Sequence, residues 1–300
     1  MGKKNTSRSV GKQFRGLLGA HFSIAKGLHN AVLEAKLFGC NVLQMFTKNP
    51  NSWKEPTILP DQVDRFKRTK AQTGIREIAS HTSYLINLAA VEKKKRAKSC
   101  QALKRELFRS SILGISYVVL HPGFHMGKGE REGIHRIATS INEVLYETAG
   151  ATPRLLLETT AGQGSVLGNT FDQLASIMEQ IENRDRVGIC LDSCHIFAAG
   201  YDIRTPICYH QTIDDFDAVI GLRHLLLIHL NDSKKDLGSR VDRHEHIGRG
   251  FIGLKSFECF MKDPRLSHIP KIIETPKERN RKNWDSINLQ QLRSLLKGLG

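Results

Sequence analysis

Nowhere in its 300 residues does this chain hold an apolar run near the roughly 20 residues needed to span a bilayer. A membrane-spanning helix is therefore not expected. Acidic residues are scarce as well: 30 Asp and Glu stand against 45 Lys and Arg, a formal charge of +15. Such a balance suits a polyanionic partner, either a nucleic acid or an anionic membrane surface. The six cysteines, at 40, 100, 190, 194, 208 and 259, include no C-x-x-C pair and no small-domain framework. Reduced thiols in a cytosolic chain are the expected state, with Cys194 standing beside candidate metal ligands. Also missing is a Ser/Gly-rich linker, so the 40% apolar content is available for one large core. The first fifteen residues, MGKKNTSRSVGKQFR, are basic and lack the apolar region of a secretory signal. They are expected to form a disordered tail, 1–15, ahead of one folded domain, 16–300.

From Leu17 onward, short apolar runs alternate with longer segments of helical period. The runs cover 17–21, 41–47, 76–81, 117–123, 154–160, 187–195, 224–232 and 271–276; the helical segments cover 24–38, 60–73, 91–113, 134–149, 171–181, 212–222, 253–261 and 288–296. Strands buried on both faces read as continuous apolar runs, and helical crossovers imply parallel pairing. Eight such β-then-α units predict an α/β fold, a single (β/α)8 TIM barrel. An open doubly wound sheet is the alternative, and no G-x-G-x-x-G follows the first run to support it.

Ionisable residues recur where those runs end. His81 closes the third, His121 the fourth, Glu158 the fifth, Asp192 and His195 the sixth, His229 the seventh and Glu274 the eighth. That end of a barrel strand is where active sites form. Asp242 and His244 lie in the glycine-containing loop after the seventh run, in VDRHEHIG. In an extended segment alternate side chains share a side, so Asp242, His244 and His246 face one way while Arg243 and Glu245 turn outward. Burying nine such groups without counterions is very costly, and multivalent cations are the usual remedy. Mixed imidazole and carboxylate ligation suits zinc, with manganese or iron less specific. Nine donors exceed one tetrahedral ion and suggest two or three. Joined to a basic surface, a multimetal site points to hydrolysis of a phosphodiester.

The motifs HTSYLINLA, LHPG, LETTAGQG, LDSCHIFAAGYD, HLND, GSRVDRHEHIG and IIET resemble, in order, the endonuclease IV family of apurinic/apyrimidinic endonucleases. The likeness runs from about Leu17 to Pro276. It implies a TIM barrel with three zinc ions that cuts duplex DNA 5′ to an abasic site, leaves a 3′-hydroxyl and a 5′-deoxyribose phosphate, and trims blocked 3′ ends. By the same likeness, His81, His121 and Glu158 hold one zinc. Glu158 bridges to a second, held also by Asp192, His229 and Glu274; His195, Asp242 and His244 hold the third. Manganese is an alternative occupant, and Glu158 is the candidate catalytic residue.

DNA contacts are expected from Tyr84, whose alternative is a core position, and from the run Lys277, Arg279, Arg281 and Lys282. The run Lys93–Lys98 is a second basic segment. Asn51 in FTKNPNSW stands where the family often carries a DNA-entering arginine, and Arg249 stands where an acid is expected. A cytoplasmic monomer, nucleoid-associated in a bacterium, completes the reading. Two rivals remain: a metal-dependent sugar isomerase or epimerase on a similar barrel, and a nucleic-acid-binding scaffold on a barrel that has lost activity.

Overall fold

The computed structural model describes residues 16–279 and 282–296. The expected tail, 1–15, lies outside them. Eight strands close a parallel barrel: β1 (Leu18–Phe22), β2 (Val42–Met45), β3 (Glu77–His81), β4 (Tyr117–Leu120), β5 (Arg154–Glu158), β6 (Val187–Asp192), β7 (Leu225–His229) and β8 (Lys271–Ile273). Each pairs with its neighbour in chain order, and β8 returns to β1 through Gly19↔Ile272. Around them lie α1 (Leu28–Leu37), α2 (Pro60–Thr73), α3 (Lys93–Leu113), α4 (Glu130–Glu147), α5 (Phe171–Glu179), α6 (Ser193–Ala199), α7 (Pro206–Val219), α8 (Leu254–Lys262) and α9 (Trp284–Ser294). Among the described residues no helix is long and apolar enough to cross a membrane.

The helix boundaries differ from the sequence expectation where local chemistry intervenes. The sixth apolar run extends to His195, but β6 stops at Asp192, whose carboxylate accepts the His195 N–H at 3.0 Å and caps α6. The apolar run continues because the helix is as buried as the strand, so periodicity could not mark the change. Likewise α7 begins at Pro206, six residues before the expected Thr212, because Thr205 caps it by accepting from Cys208 N at 3.2 Å. Asn283 starts α9 at Trp284 in the same way.

Two packed layers follow from strand alternation. The large core lies between strands and helices. A smaller, separate cluster contains Val42, Ala79, Val119, Leu156, Cys190, Leu227 and Ile272. Each of these stands two positions before Gln44, His81, His121, Glu158, Asp192, His229 or Glu274, and residues two apart on a strand face the same side. The barrel lumen is therefore plugged by a hydrophobic ring with a polar ring directly above it. In β1 the ring position is Gly19, where an added Cβ would sit 1.9 Å from the Val42 carbonyl oxygen. Only glycine lets β1 and β2 close there, and the polar residue above it is His21.

Candidate metal centre

Every barrel strand, or in the case of His121 and Glu274 the residue directly after it, supplies one member of the polar ring: His21, Gln44, His81, His121, Glu158, Asp192, His229 and Glu274. The last six are the strand-end donors expected from the sequence. Glu158, wholly buried, is the hub. Its Oε2 lies 3.0 Å from Nε2 of both His81 and His121, and its Oε1 lies 2.9 Å from His229 Nδ1 and 3.5 Å from His195 Nδ1. His229 Nδ1 is also 3.2 Å from Glu274 Oε2 and 3.7 Å from Asp192 Oδ2. Donor atoms of His81, His121 and Glu158 converge within 4.8 Å of one another, and so do those of Glu158, Asp192, His229 and Glu274.

The third expected group draws on different elements, and the donor atoms that converge within 4.8 Å there are those of Asp192, His195 and His244 and those of Cys194, Asp242 and His244. Asp242 bridges His195 Nε2 (3.2 Å) and His244 Nε2 (3.4 Å). His244 Nε2 also faces Asp192 Oδ2 at 3.7 Å. His244 and Glu245 form a short antiparallel pair with Asp232 and Ser233, which holds the loop extended next to Asp242. Arg243 is exposed, as alternation predicts. His246 does not join the group: it is buried against Trp284, ring centroids 3.9 Å apart, with Asn288 Nδ2 3.2 Å from its Nδ1. Cys194 approaches Asp242 and His244, but burial pushes its thiol pKa up, and its Sγ faces the Arg243 carbonyl at 3.6 Å.

A ring nitrogen facing a carbonyl oxygen must carry the hydrogen, and that fixes which nitrogen is left as a ligand. His81 Nδ1 donates to the Thr82 carbonyl (2.9 Å), His195 Nδ1 to the Thr159 carbonyl (2.8 Å) and His244 Nδ1 to the Glu274 carbonyl (3.3 Å). In each case the backbone holds Nδ1, and Nε2 is the atom turned inward, toward Glu158 from His81 and toward Asp242 from His195 and His244. His244 Nε2 is buried without a hydrogen-bond partner. Asn231 supports two carboxylate positions at once: its Nδ2 donates to Asp192 Oδ2 at 2.6 Å, and its Oδ1 accepts the Glu274 N–H at 2.7 Å. Outer-shell bonds of this kind are what orient metal ligands.

Electrostatics is consistent with cation binding. Burial disfavours the charged form of Glu158, yet His121 and His229 outweigh it and hold its carboxyl well below the usual range. For His195 burial is likewise overcome, by Asp192 and Asp242, which raise its pKa well above the ordinary value. Burial works against ionised Asp242 too, and His195 outweighs it. Among the described residues, no Lys or Arg forms an ion pair with these four acids and five imidazoles, which pair with one another. Acceptor atoms so gathered fit divalent ions.

A family profile described as a xylose isomerase-like TIM barrel matches residues 32–297. A probable endonuclease 4 of Geotalea daltonii is 47% identical over 280 residues, covering 93% of this chain and 98% of that protein. The crystal structure of endonuclease IV from Thermus thermophilus superimposes with a TM-score of 0.83 at 35% identity, over 94% of this chain and 99% of that one. The chain belongs to the endonuclease IV family. A D-tagatose 3-epimerase-like protein, 16% identical with a TM-score of 0.70 over 94% of this chain and 98% of its own, shares the fold alone.

In this endonuclease IV family member the residues expected to touch DNA sit in unlike settings. Tyr84 is 59% exposed, so the core alternative is excluded. Its ring packs edge-on against Phe46 and, with His81, His121, Phe124 and Asp242, lines a cavity of about 250 Å³ beside the ligand cluster. Asn51 is exposed in a loop fastened from below by buried Lys48, whose ammonium pairs with Glu55 at 3.3 Å, and by Arg109, which bonds Glu55, Glu106 and Thr47. Lys277 is already engaged by the His21 carbonyl and, at 2.7 Å, by Asp285. Arg281 and the side chains of Arg279 and Lys282 lie outside the described residues. Arg249 lies over the Trp284 ring, 4.6 Å from its centroid. Gln44, Asn231 and Asn288 are residues to which the sequence assigned no part. A polar amide inside the apolar run NVLQMFT was the available signal for the first.

Proposed function

We propose that this chain is a three-zinc endonuclease that hydrolyses the phosphodiester 5′ to an abasic nucleotide in duplex DNA and also trims blocked 3′ ends. The observation that carries this reading is the ionised, fully buried Glu158, shared between two groups of inward imidazole nitrogens. In this assignment His81, His121 and Glu158 hold one ion, and Glu158, Asp192, His229 and Glu274 a second. His195, Asp242 and His244 hold the third. Ions in such a site supply Lewis-acid charge and a nucleophile at neutral pH. Glu158 would help hold two of the ions, Asp242 lines the substrate cavity, and Tyr84 at its rim would stack beside the abasic gap. The basic run Lys277, Arg279, Arg281 and Lys282 contacts phosphates, and Asn51 lies at the groove. The protein acts as a cytoplasmic monomer in which 16–300 form one catalytic domain behind a basic tail.

The deciding experiment is cleavage of a duplex carrying one abasic analogue, with both product ends identified. Activity on a ketose or aldose, and none on that duplex, would favour the sugar epimerase instead. Elemental analysis of protein never exposed to chelator should return close to three ions per chain, mainly zinc. One ion or fewer would overturn the trinuclear assignment.

DNA affinity should fall steeply with salt. If about five phosphates are neutralised, the log–log slope should be roughly −4.5. Neutralising Arg279, Arg281 and Lys282 together should flatten that slope without changing bound metal. An unaltered slope would move the footprint to Lys93–Lys98, where Lys93, Lys94 and Lys95 are exposed at the start of α3.

A further inference from the structure

β2 contributes no ionisable residue to the polar ring; its member is Gln44, wholly buried at the centre of an otherwise apolar strand. A buried amide needs partners on both of its ends. Gln44 Nε2 donates to Glu274 Oε1 at 2.5 Å, and Gln44 Oε1 lies 2.8 Å from His229 Nε2. The amide has a donor end and an acceptor end, so these two contacts fix its orientation. An ionised carboxylate only accepts, which puts the amide nitrogen on Glu274. The amide oxygen then meets His229, and an oxygen facing a ring nitrogen requires that nitrogen to hold the hydrogen. With Nε2 held by the Gln44 amide, His229 turns Nδ1 inward, 2.9 Å from Glu158 Oε1 and 3.2 Å from Glu274 Oε2, as the atom that would ligate a metal. Gln44 Nε2 also lies 3.1 Å from His21 Nδ1, which itself faces Glu274 Oε1 at 3.2 Å, so the amide nitrogen and His21 meet on the same carboxylate oxygen.

We propose that Gln44 is the positioning residue of the second metal group: it selects Nδ1 of His229 and Oε2 of Glu274 as the ligand atoms. The inference rests on the metal assignment above and adds a residue outside the nine assigned ligands. A flipped amide would set N–H against N–H and oxygen against carboxylate, so only one arrangement satisfies both neighbours. Among the histidines assigned to metal, His229 is turned inward through Nδ1 by a side-chain amide, where His81, His195 and His244 are turned inward through Nε2 by backbone carbonyls.

The test uses the full-length metal-loaded protein and two variants. Gln44→Met keeps the volume and the apolar setting and removes both hydrogen bonds. Chelator competition should show one ion bound about 10- to 100-fold more weakly, the usual loss on removing an outer-shell partner. On the abasic duplex kcat should fall by a similar factor, with KM within about twofold, and added zinc should restore kcat. A role confined to packing would lower thermal stability and move neither metal affinity nor zinc-restorable kcat. Gln44→Glu keeps an acceptor for His229 but turns a carboxylate on Glu274, so it should lose more metal affinity than Gln44→Met. Should Gln44→Met not fold, Gln44→Asn, too short to reach both partners, carries the same expectation. Wild-type affinity for every ion in the folded variant overturns the inference while leaving the metal assignment intact. A wild type that binds one ion or none overturns both.

Discussion

Glu158→Gln is expected to slow single-turnover cleavage of an abasic duplex about a thousandfold in a protein that still folds, which corresponds to roughly 4 kcal/mol of transition-state stabilisation. The carboxylate lies between His81 and His121 on one oxygen and His229 and His195 on the other. An amide of the same shape keeps the packing but removes one negative charge from the point where two metal groups meet. It also offers N–H to at least one imidazole nitrogen that has no free acceptor role once it ligates. Metal content should fall below that of wild type, because Glu158 is the carboxylate common to both groups. A rate within about tenfold of wild type, in a folded variant with full metal, would remove Glu158 from the bridging role.

His244→Ala and His246→Ala should part company, although the two residues are separated by one position. Removing His244 leaves His195 and Asp242 as the side chains assigned to the third group, too few for a stable site, so one ion should be lost and cleavage should collapse. His246 lies against Trp284 and Asn288, away from the Asp242 cluster. Its loss removes a buried stacked ring worth about 0.5–1.5 kcal/mol beyond its area. The main effect of His246→Ala should be a lower melting temperature, with metal retained and cleavage reduced by about 10- to 100-fold at most. Metal analysis and melting curves on both proteins decide it. A His246 variant that loses an ion, beside a His244 variant that keeps all, would reverse the assignment.

Much of this was legible along the chain because the barrel repeats its own rule. Each apolar run is a strand buried on both faces, and each ends on the face where loops assemble a site, so His81, His121, Glu158, Asp192, His229 and Glu274 could be lined up from position alone. The long motifs then fixed the family. Boundaries governed by a single side chain were not legible: Asp192 turns the sixth run into a helix, and Thr205 starts α7 early, because a cap competes with a period that burial has already blurred. Alternation in VDRHEH foresaw that Asp242 and His244 converge but put His246 on the same side, where the turn toward Gly248 and the Trp284 ring take it away.

What the sequence determined by itself is the order of elements, the charge, the donor set and the family, since these depend on residue type and spacing. Which nitrogen of His81, His195, His229 and His244 turns inward was decided only in three dimensions. Thr82, Thr159, Glu274 and Gln44 supply the acceptors that choose it, the first three through a backbone carbonyl and the last through an amide, groups to which no sequence pattern assigns a partner. Closing eight strands brings Gln44 to His229 across 185 residues and to Glu274 across 230. A hydrogen bond spanning that distance along the chain exists only because the barrel shuts.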